Sequence, residues 1–201
     1  SSAFRMRPDV PLVVPEVNGD LLNATSPLIA NPNCVAAILT VALAPLRALG
    51  QMQRVDVATY QSASGAGARA MEDLVIQTEA YLAGDEVKPR VLKHPYAFNL
   101  FSHDSAMEAN GFNGEENKVM EETRKILAMP ELALNVTCIR VPVLRAHTEA
   151  VTVMFGEPVE AAAARQALQT AAGIKVVDDA ERNHFPMPNE ATETDEVLVG
   201  R

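Results

Sequence analysis

Arg54-Val55-Asp56-Val57-Ala58-Thr59-Tyr60 alternates side chains with a period of two, and after Gln61 comes Ser62-Ala63-Ser64-Gly65-Ala66-Gly67. The first stretch reads as a β-branched strand and the second as a tight turn. From about Ala68 to Leu82 the spacing changes to that of a helix, with Met71, Leu74, Val75, Thr78 and Leu82 on one face and Gly84 closing it. On the other side, Val35, Ile38, Leu39, Ala42, Leu43 and Leu46 recur at helical spacing after Cys34, and Pro45 and Gly50 mark the end of that run. Helix is not expected before Asn18, because Pro8, Pro11 and Pro15 punctuate an extended opening.

Downstream, Lys88 to Gly114 lacks a sustained period and is expected to be mostly loop, where function often resides. Glu115 to Leu127 reads as a helix with acids in its first turns and Arg124 and Lys125 near its end, as the helix dipole prefers. Leu132–Val143 and Thr148–Phe155 read as strands, Val159–Ala171 as an Ala-rich helix begun by Pro158, and Ile174–Val177 as a further strand. Strands interleaved with helices predict an α/β (α+β) domain with a mixed sheet, in one unit spanning residues 1–201.

The chain has 201 residues, 48% of them hydrophobic, enough for a real core. Its 17 Lys and Arg against 26 Asp and Glu give a net charge of −9, which repels a phosphate backbone, so neither nucleic acid nor an anionic membrane is expected as a partner. No apolar run approaches the ~20 residues of a spanning helix. Two cysteines without a dense framework suit a reducing compartment.

Asn31-Pro32-Asn33-Cys34 places a thiol where a stiff turn meets a helix N-terminus, and the unpaired N–H groups there favour thiolate over thiol. The same cysteine also fits as a small apolar residue opening a buried helix. Cys138, inside an alternating strand, reads as packing. Of the four histidines, His147 has the most suggestive company: Arg140 lies seven residues before it, across a strand broken by Pro142. Gly65-Ala66-Gly67-Ala68-Arg69-Ala70 matches a dinucleotide fingerprint, but Asp85 and Glu86 follow a helix and Gly84, whereas the fingerprint needs an acid at the end of a second parallel strand. The glycines still allow a backbone to approach a ligand. Glu115 and Lys118, three apart, read by themselves as a solvated charge pair.

Val13-Val14-Pro15-Glu16-Val17-Asn18, Ile29-Ala30-Asn31-Pro32-Asn33-Cys34, Thr59 to Gly67, and Cys138-Ile139-Arg140-Val141-Pro142-Val143 followed by His147 resemble, in order, the blocks of the aspartate-semialdehyde dehydrogenases. Tyr96-Ala97-Phe98-Asn99-Leu100-Phe101-Ser102-His103 is similar to their plant and algal branch. The resemblance implies NADP-dependent interconversion of L-aspartyl 4-phosphate with L-aspartate 4-semialdehyde and phosphate, on the route to lysine, threonine and methionine. It implies Cys34 as the nucleophile that forms an acyl thioester, His147 as its acid/base partner and Gln61 as a positioning group. Arg140 would clasp the substrate carboxylate, Glu115 the amino group, and Lys118 would serve the phosphate. Ser64 and Gly65 would line the cofactor, and no metal is implied.

By the same resemblance this is the catalytic and dimerisation part, with the N-terminal NADP-binding domain and a C-terminal helix lying outside the chain. It is expected to form a homodimer in cytoplasm or plastid stroma and to turn over little or not at all by itself. A non-catalytic dimerisation module of the same fold, and an acyl-phosphate reductase with another substrate, are the alternatives.

Overall fold

In the computed structural model, residues 2–22 and 27–201 are described. The helices are α1 (Pro15–Asn18), α2 (Cys34–Leu43), α3 (Ala68–Ala83), α4 (Gly114–Leu127), α5 (Ala161–Gln169) and α6 (Pro188–Ala191). The strands are β1 (Met52–Gln61), β2 (Phe101–Ser102), β3 (Ala133–Arg140), β4 (Thr148–Phe155), β5 (Ile174–Val176) and β6 (Val197–Val199). No helix among the described residues is long and apolar enough to cross a membrane.

The main sheet runs β2-β3-β1-β4. β1 pairs in parallel with β3, from Arg54 opposite Ala133 to Gln61 opposite Arg140, and antiparallel with β4, with Tyr60 opposite Thr148. A mixed sheet is the predicted architecture. Its inner face packs on α2 and α4 through Val35, Leu39, Leu43, Val55, Val57, Val119, Leu127, Val136 and Cys138. The outer face is largely uncovered: Tyr60, Asn135, Thr137, Ala150, Thr152 and Met154 are exposed along three adjacent strands. A separate two-stranded sheet joins β5 and β6 in parallel.

The helix ends follow local chemistry. Asn33 caps α2, its side chain accepting from Val35 N–H (2.9 Å) and Ala36 N–H (3.2 Å). Asn113 and Glu116 form a reciprocal capping box on α4, with Asn113 N–H donating to Glu116 Oε2 at 2.8 Å. Gly84, at φ 78°, ends α3 in the left-handed conformation glycine adopts without strain.

Several expectations are corrected. Helix does occur before Asn18: Pro15 opens the single turn of α1, a position where its missing N–H would be unpaired anyway. The Ala-rich helix starts at Ala161 rather than Val159 and ends at Gln169, leaving Pro158 in the preceding extended segment. β3 stops at Arg140 rather than continuing to Val143, although Val141 N–H still donates to Gln61 O at 3.1 Å and Val143 O accepts from Ala63 N–H at 2.8 Å. On α3, Val75 and Leu82 are 42% and 73% exposed, and the buried stripe is Ala70, Asp73, Leu74 and Gln77. Two polar residues hold that stripe because they satisfy the backbone of the following loop. Asp73 Oδ2 accepts from Arg90 and Val91 N–H, and Gln77 Oε1 accepts from Tyr96 N–H.

Candidate active site

Parallel pairing of β1 with β3 brings Gln61 beside Arg140 at the same end of the sheet, and the N-terminus of α2 sits over that end. Asn33 is held at each of its polar groups. Besides capping α2, its Nδ2 donates to Glu115 Oε1 at 2.8 Å and its backbone N–H donates to Glu122 Oε2. Glu122 is almost fully buried, and its Oε1 accepts from Arg5 Nη1 at 3.0 Å. The loop before the thiol is thus gripped by two carboxylates from one helix, α4.

Glu115 is buried, which corrects the reading of a solvated pair with Lys118. Its Oε1 accepts from Asn33 and from Gln61 Nε2 (3.2 Å), and Lys118 Nζ lies 3.6 Å from Oε2. Burial works to raise the carboxyl pKa. The hydrogen bonds from Asn33 and Gln61 and the neighbouring His103 and Lys118 outweigh it and lower the value below the usual carboxylate range. Glu115 is therefore an anion at neutral pH.

Cys34 is exposed on one side, whereas Cys138 is buried in the core as packing, as its strand pattern predicts. The expected depression of the Cys34 pKa is not found. Protein packed around the sulfur and then the charge of Glu115 raise it, and the N–H groups of Val35 and Cys34, which pull it down, do not win. The helix terminus is real, but burial of the sulfur first, and then the anion beside it, outweigh it.

His147 Nδ1 accepts from the backbone N–H of Ser62 at 3.0 Å and lies 3.0 Å from Ser62 Oγ. A backbone N–H can only donate, so the neutral ring carries its proton on Nε2. Burial and then the positive charge of Arg140 push its pKa down to about 4. Gly65 makes room for this ring: a Cβ built there would lie 2.9 Å from His147 Nε2 and 3.5 Å from Arg140 Nη1. Ser64 Oγ lies 3.0 Å from Ser62 Oγ, and Ser64 N–H donates to Leu144 O at 2.9 Å, tying the glycine turn to the segment leading to His147.

Arg140 is buried, with its guanidinium reaching Ser62 O (3.5 Å), His103 Nε2 (2.9 Å) and Asp104 Oδ1 (3.4 Å from both Nε and Nη2). His103 and Asp104 were not singled out by sequence spacing. They lie in the unpatterned loop and reach the site because β2 pairs with β3, Phe101 opposite Arg140, after which His103 N–H donates to Cys138 O at 2.8 Å. Asn33, Glu122 and Ser62 were likewise missed as positioning groups, although an Asn immediately before a helical run is a cap signal. The predicted residues Cys34, Gln61, Ser64, Gly65, Glu115, Lys118, Arg140 and His147 thus fall in one connected cluster with both charge signs, a hydrogen-bonded imidazole and a reachable thiol.

Residues 43–201 match the family model for the semialdehyde dehydrogenase dimerisation domain. The chain is 50% identical over 201 residues to an aspartate-semialdehyde dehydrogenase of Synechocystis and to one of Prochlorococcus marinus, covering all of this chain and 60% and 59% of those proteins. It superposes on the crystal structure of aspartate semialdehyde dehydrogenase II complexed with ASA from Vibrio cholerae with a TM-score of 0.94 at 37% identity, covering 100% of this chain and 60% of that one. The chain therefore spans about three fifths of the length of the relatives it matches. With the family model covering most of its residues, the chain belongs to the semialdehyde dehydrogenase family.

Proposed function

We propose that this chain is the substrate-binding and dimerisation part of an NADP-dependent aspartate-semialdehyde dehydrogenase, interconverting L-aspartate 4-semialdehyde plus phosphate with L-aspartyl 4-phosphate. The observation that carries the reading is the cluster itself: a solvent-reachable thiol whose cap residue is hydrogen-bonded to the buried anion Glu115, with Arg140 and His147 held at the adjoining sheet end.

In the oxidative direction the Cys34 sulfur adds to the aldehyde carbon, the carbonyl π pair moves to oxygen, and the thiol proton is passed to that oxygen, giving a thiohemiacetal. Loss of hydride from carbon and of the hydroxyl proton to the site's acid/base group gives the thioester, whose carbon is then attacked by phosphate while the sulfur leaves as thiolate. A thiol suits both halves, since it attacks well and leaves well. His147 is that acid/base group: in its resting tautomer Nε2–H hydrogen-bonds an oxygen gaining negative charge, and to take the hydroxyl proton on Nε2 the ring first releases Ser62 N–H and carries its own proton on Nδ1, facing Ser62 Oγ. Gln61, fixed by Glu115 and by Thr59 Oγ1 at 3.2 Å, positions the acyl group. Arg140 holds the substrate carboxylate, Glu115 its ammonium group, and Lys118 assists phosphate. An ammonium arriving on Glu115 offsets the second of the two causes that raise the Cys34 pKa, after burial, so substrate binding favours the thiolate.

NADP, when bound, takes or supplies the hydride. The residues here fit its reactive end: Gly65 is exposed beside the His147 ring, Gly67 has open space where a side chain would be, and Ser64 lies between Ser62 and the glycines. The greater part of the cofactor is assigned to family segments outside this chain, and the chain alone is expected to turn over little. Its uncovered sheet face, from Tyr60 to Met154, is assigned to a second copy as a homodimer.

The test is alkylation of Cys34, read by mass spectrometry. L-aspartate 4-semialdehyde protects it at lower concentration than semialdehydes lacking the amino group, and Cys34→Ala abolishes turnover of the complete enzyme. Equal protection by all semialdehydes would point to a different substrate, and an active Cys34→Ala enzyme would end the thioester mechanism.

A further inference from the structure

A guanidinium can grip a carboxylate with two parallel N–H bonds along one of two edges, Nε with Nη2 or Nη1 with Nη2. On Arg140 neither edge is free. Nε and Nη2 both face one oxygen, Asp104 Oδ1, at 3.4 Å, while Nη1 faces Ser62 O at 3.5 Å and Nη2 also faces His103 Nε2 at 2.9 Å. The second edge is committed to groups that build the site. The first is held by a side chain from the loop.

We propose that Asp104 is an internal carboxylate occupying the substrate's place on Arg140, and that a substrate carboxylate binds by displacing it. This rests on the assignment of Arg140 made above.

Three features support displacement over a permanent pair. The contact is long and uses one oxygen, whereas a settled guanidinium–carboxylate pair is shorter, near 2.8 Å, and often uses two. The Asp104 side chain is 26% exposed while that of Arg140 is 6% exposed, so the carboxylate has a short way out to water and the guanidinium does not. Lys93 Nζ donates to the backbone carbonyl of Asp104 at 3.3 Å, so the loop stays anchored while the side chain rotates. The arrangement also has a purpose in the empty site: a buried guanidinium without a counter-ion is strongly unfavourable, and Asp104 supplies one until the ligand does.

A resident anion competes with an arriving one, which fixes the sign of the test. Iodoacetamide labelling of Cys34 in this chain is followed at increasing L-aspartate, with buried Cys138 as the internal control. Breaking a partly exposed pair of this kind corresponds to about a five-fold change in affinity. Asp104→Asn, and Asp104→Ser as the second variant, are expected to lower the half-protecting concentration by about that factor, and adding Arg140→Gln is expected to remove the gain. Unchanged or weaker protection in both Asp104 variants, with the wild type still protected, overturns the proposal and leaves the assigned role of Arg140 standing. Absence of protection in the wild type and both variants, by L-aspartate and by L-aspartate 4-semialdehyde alike, overturns that role and the proposal together.

Discussion

Asn33 joins the thiol helix to the anion beside it, and its two tasks can be separated by substitution. As a cap it satisfies two N–H groups of α2, and as a bridge it donates to Glu115 Oε1 at 2.8 Å inside the protein. Asn33→Ser keeps a capping oxygen and loses the bridge. A hydrogen bond to a buried charged group contributes about 1.5–3 kcal/mol, so this variant is expected to lose that much stability. Asn33→Ala loses the cap as well, at a further cost of about 1 kcal/mol. With a urea m-value of about 2 kcal/mol per molar, the two midpoints fall by roughly 1 M and 1.5 M. Equilibrium urea unfolding followed by far-ultraviolet circular dichroism measures both. If Asn33→Ser matches the wild type, the bridge contributes nothing and the coupling of Glu115 to the thiol loop is wrong. If Ala and Ser variants coincide, the cap is not what orders α2.

Gly65→Ala forces a methyl group to within 2.9 Å of His147 Nε2 and is expected to cost about 1–3 kcal/mol while displacing the ring, seen as a changed histidine titration by NMR; an unperturbed ring refutes the contact. The depressed His147 pKa means the unfolded chain binds a proton more readily, so stability is complete above the ordinary value of 6.5 and falls as pH drops toward about 4, by up to about 3 kcal/mol. The lowered pKa of Glu115 acts in the same sense, so the His147→Gln variant should show a flatter decline in urea unfolding between pH 7 and 4.5 without abolishing it; an identical slope would contradict the burial of the ring. The rate of Cys34 alkylation in the unliganded chain should rise with a midpoint above that of an ordinary thiol, near 8.5, and Glu115→Gln should move the midpoint down; a wild-type midpoint below 8 would show that the helix terminus prevails after all.

The fold was legible wherever a local period met a clear stop. The strand ending at Gln61, the glycine turn and the helix closed by Gly84 are each set by residues adjacent in sequence. The stripe on α3 was not, because Asp73 and Gln77 are buried for the sake of loop N–H groups that no period announces. The same split runs through the site. Asn33 and Cys34 declare a helix start, but the protonation of the thiol is set by packing around the sulfur and then by Glu115, whose hydrogen-bond partners lie on two other elements. Read on its own helix, Glu115 has only Lys118 for company. His103 and Asp104 lie in a stretch without pattern, and a two-residue strand pairing is what delivers them to Arg140. The order of the sequence blocks pointed to residues that the fold brings into one cluster, before any geometry could say how they touch.

The parallel pairing of β1 with β3 has a consequence for how the protein comes to exist. Gln61 and Arg140 meet only after the whole of α3, the long loop and α4 have been threaded between them, so the contact closes a large loop and belongs late in folding. Earlier species can hold a native-like α2, with its cysteine in place, and still have no partner for the sulfur. In a nascent or partly melted molecule the cysteine therefore stands apart from the Gln61–Arg140 end of the sheet, and the cluster around it assembles only when β3 docks beside β1.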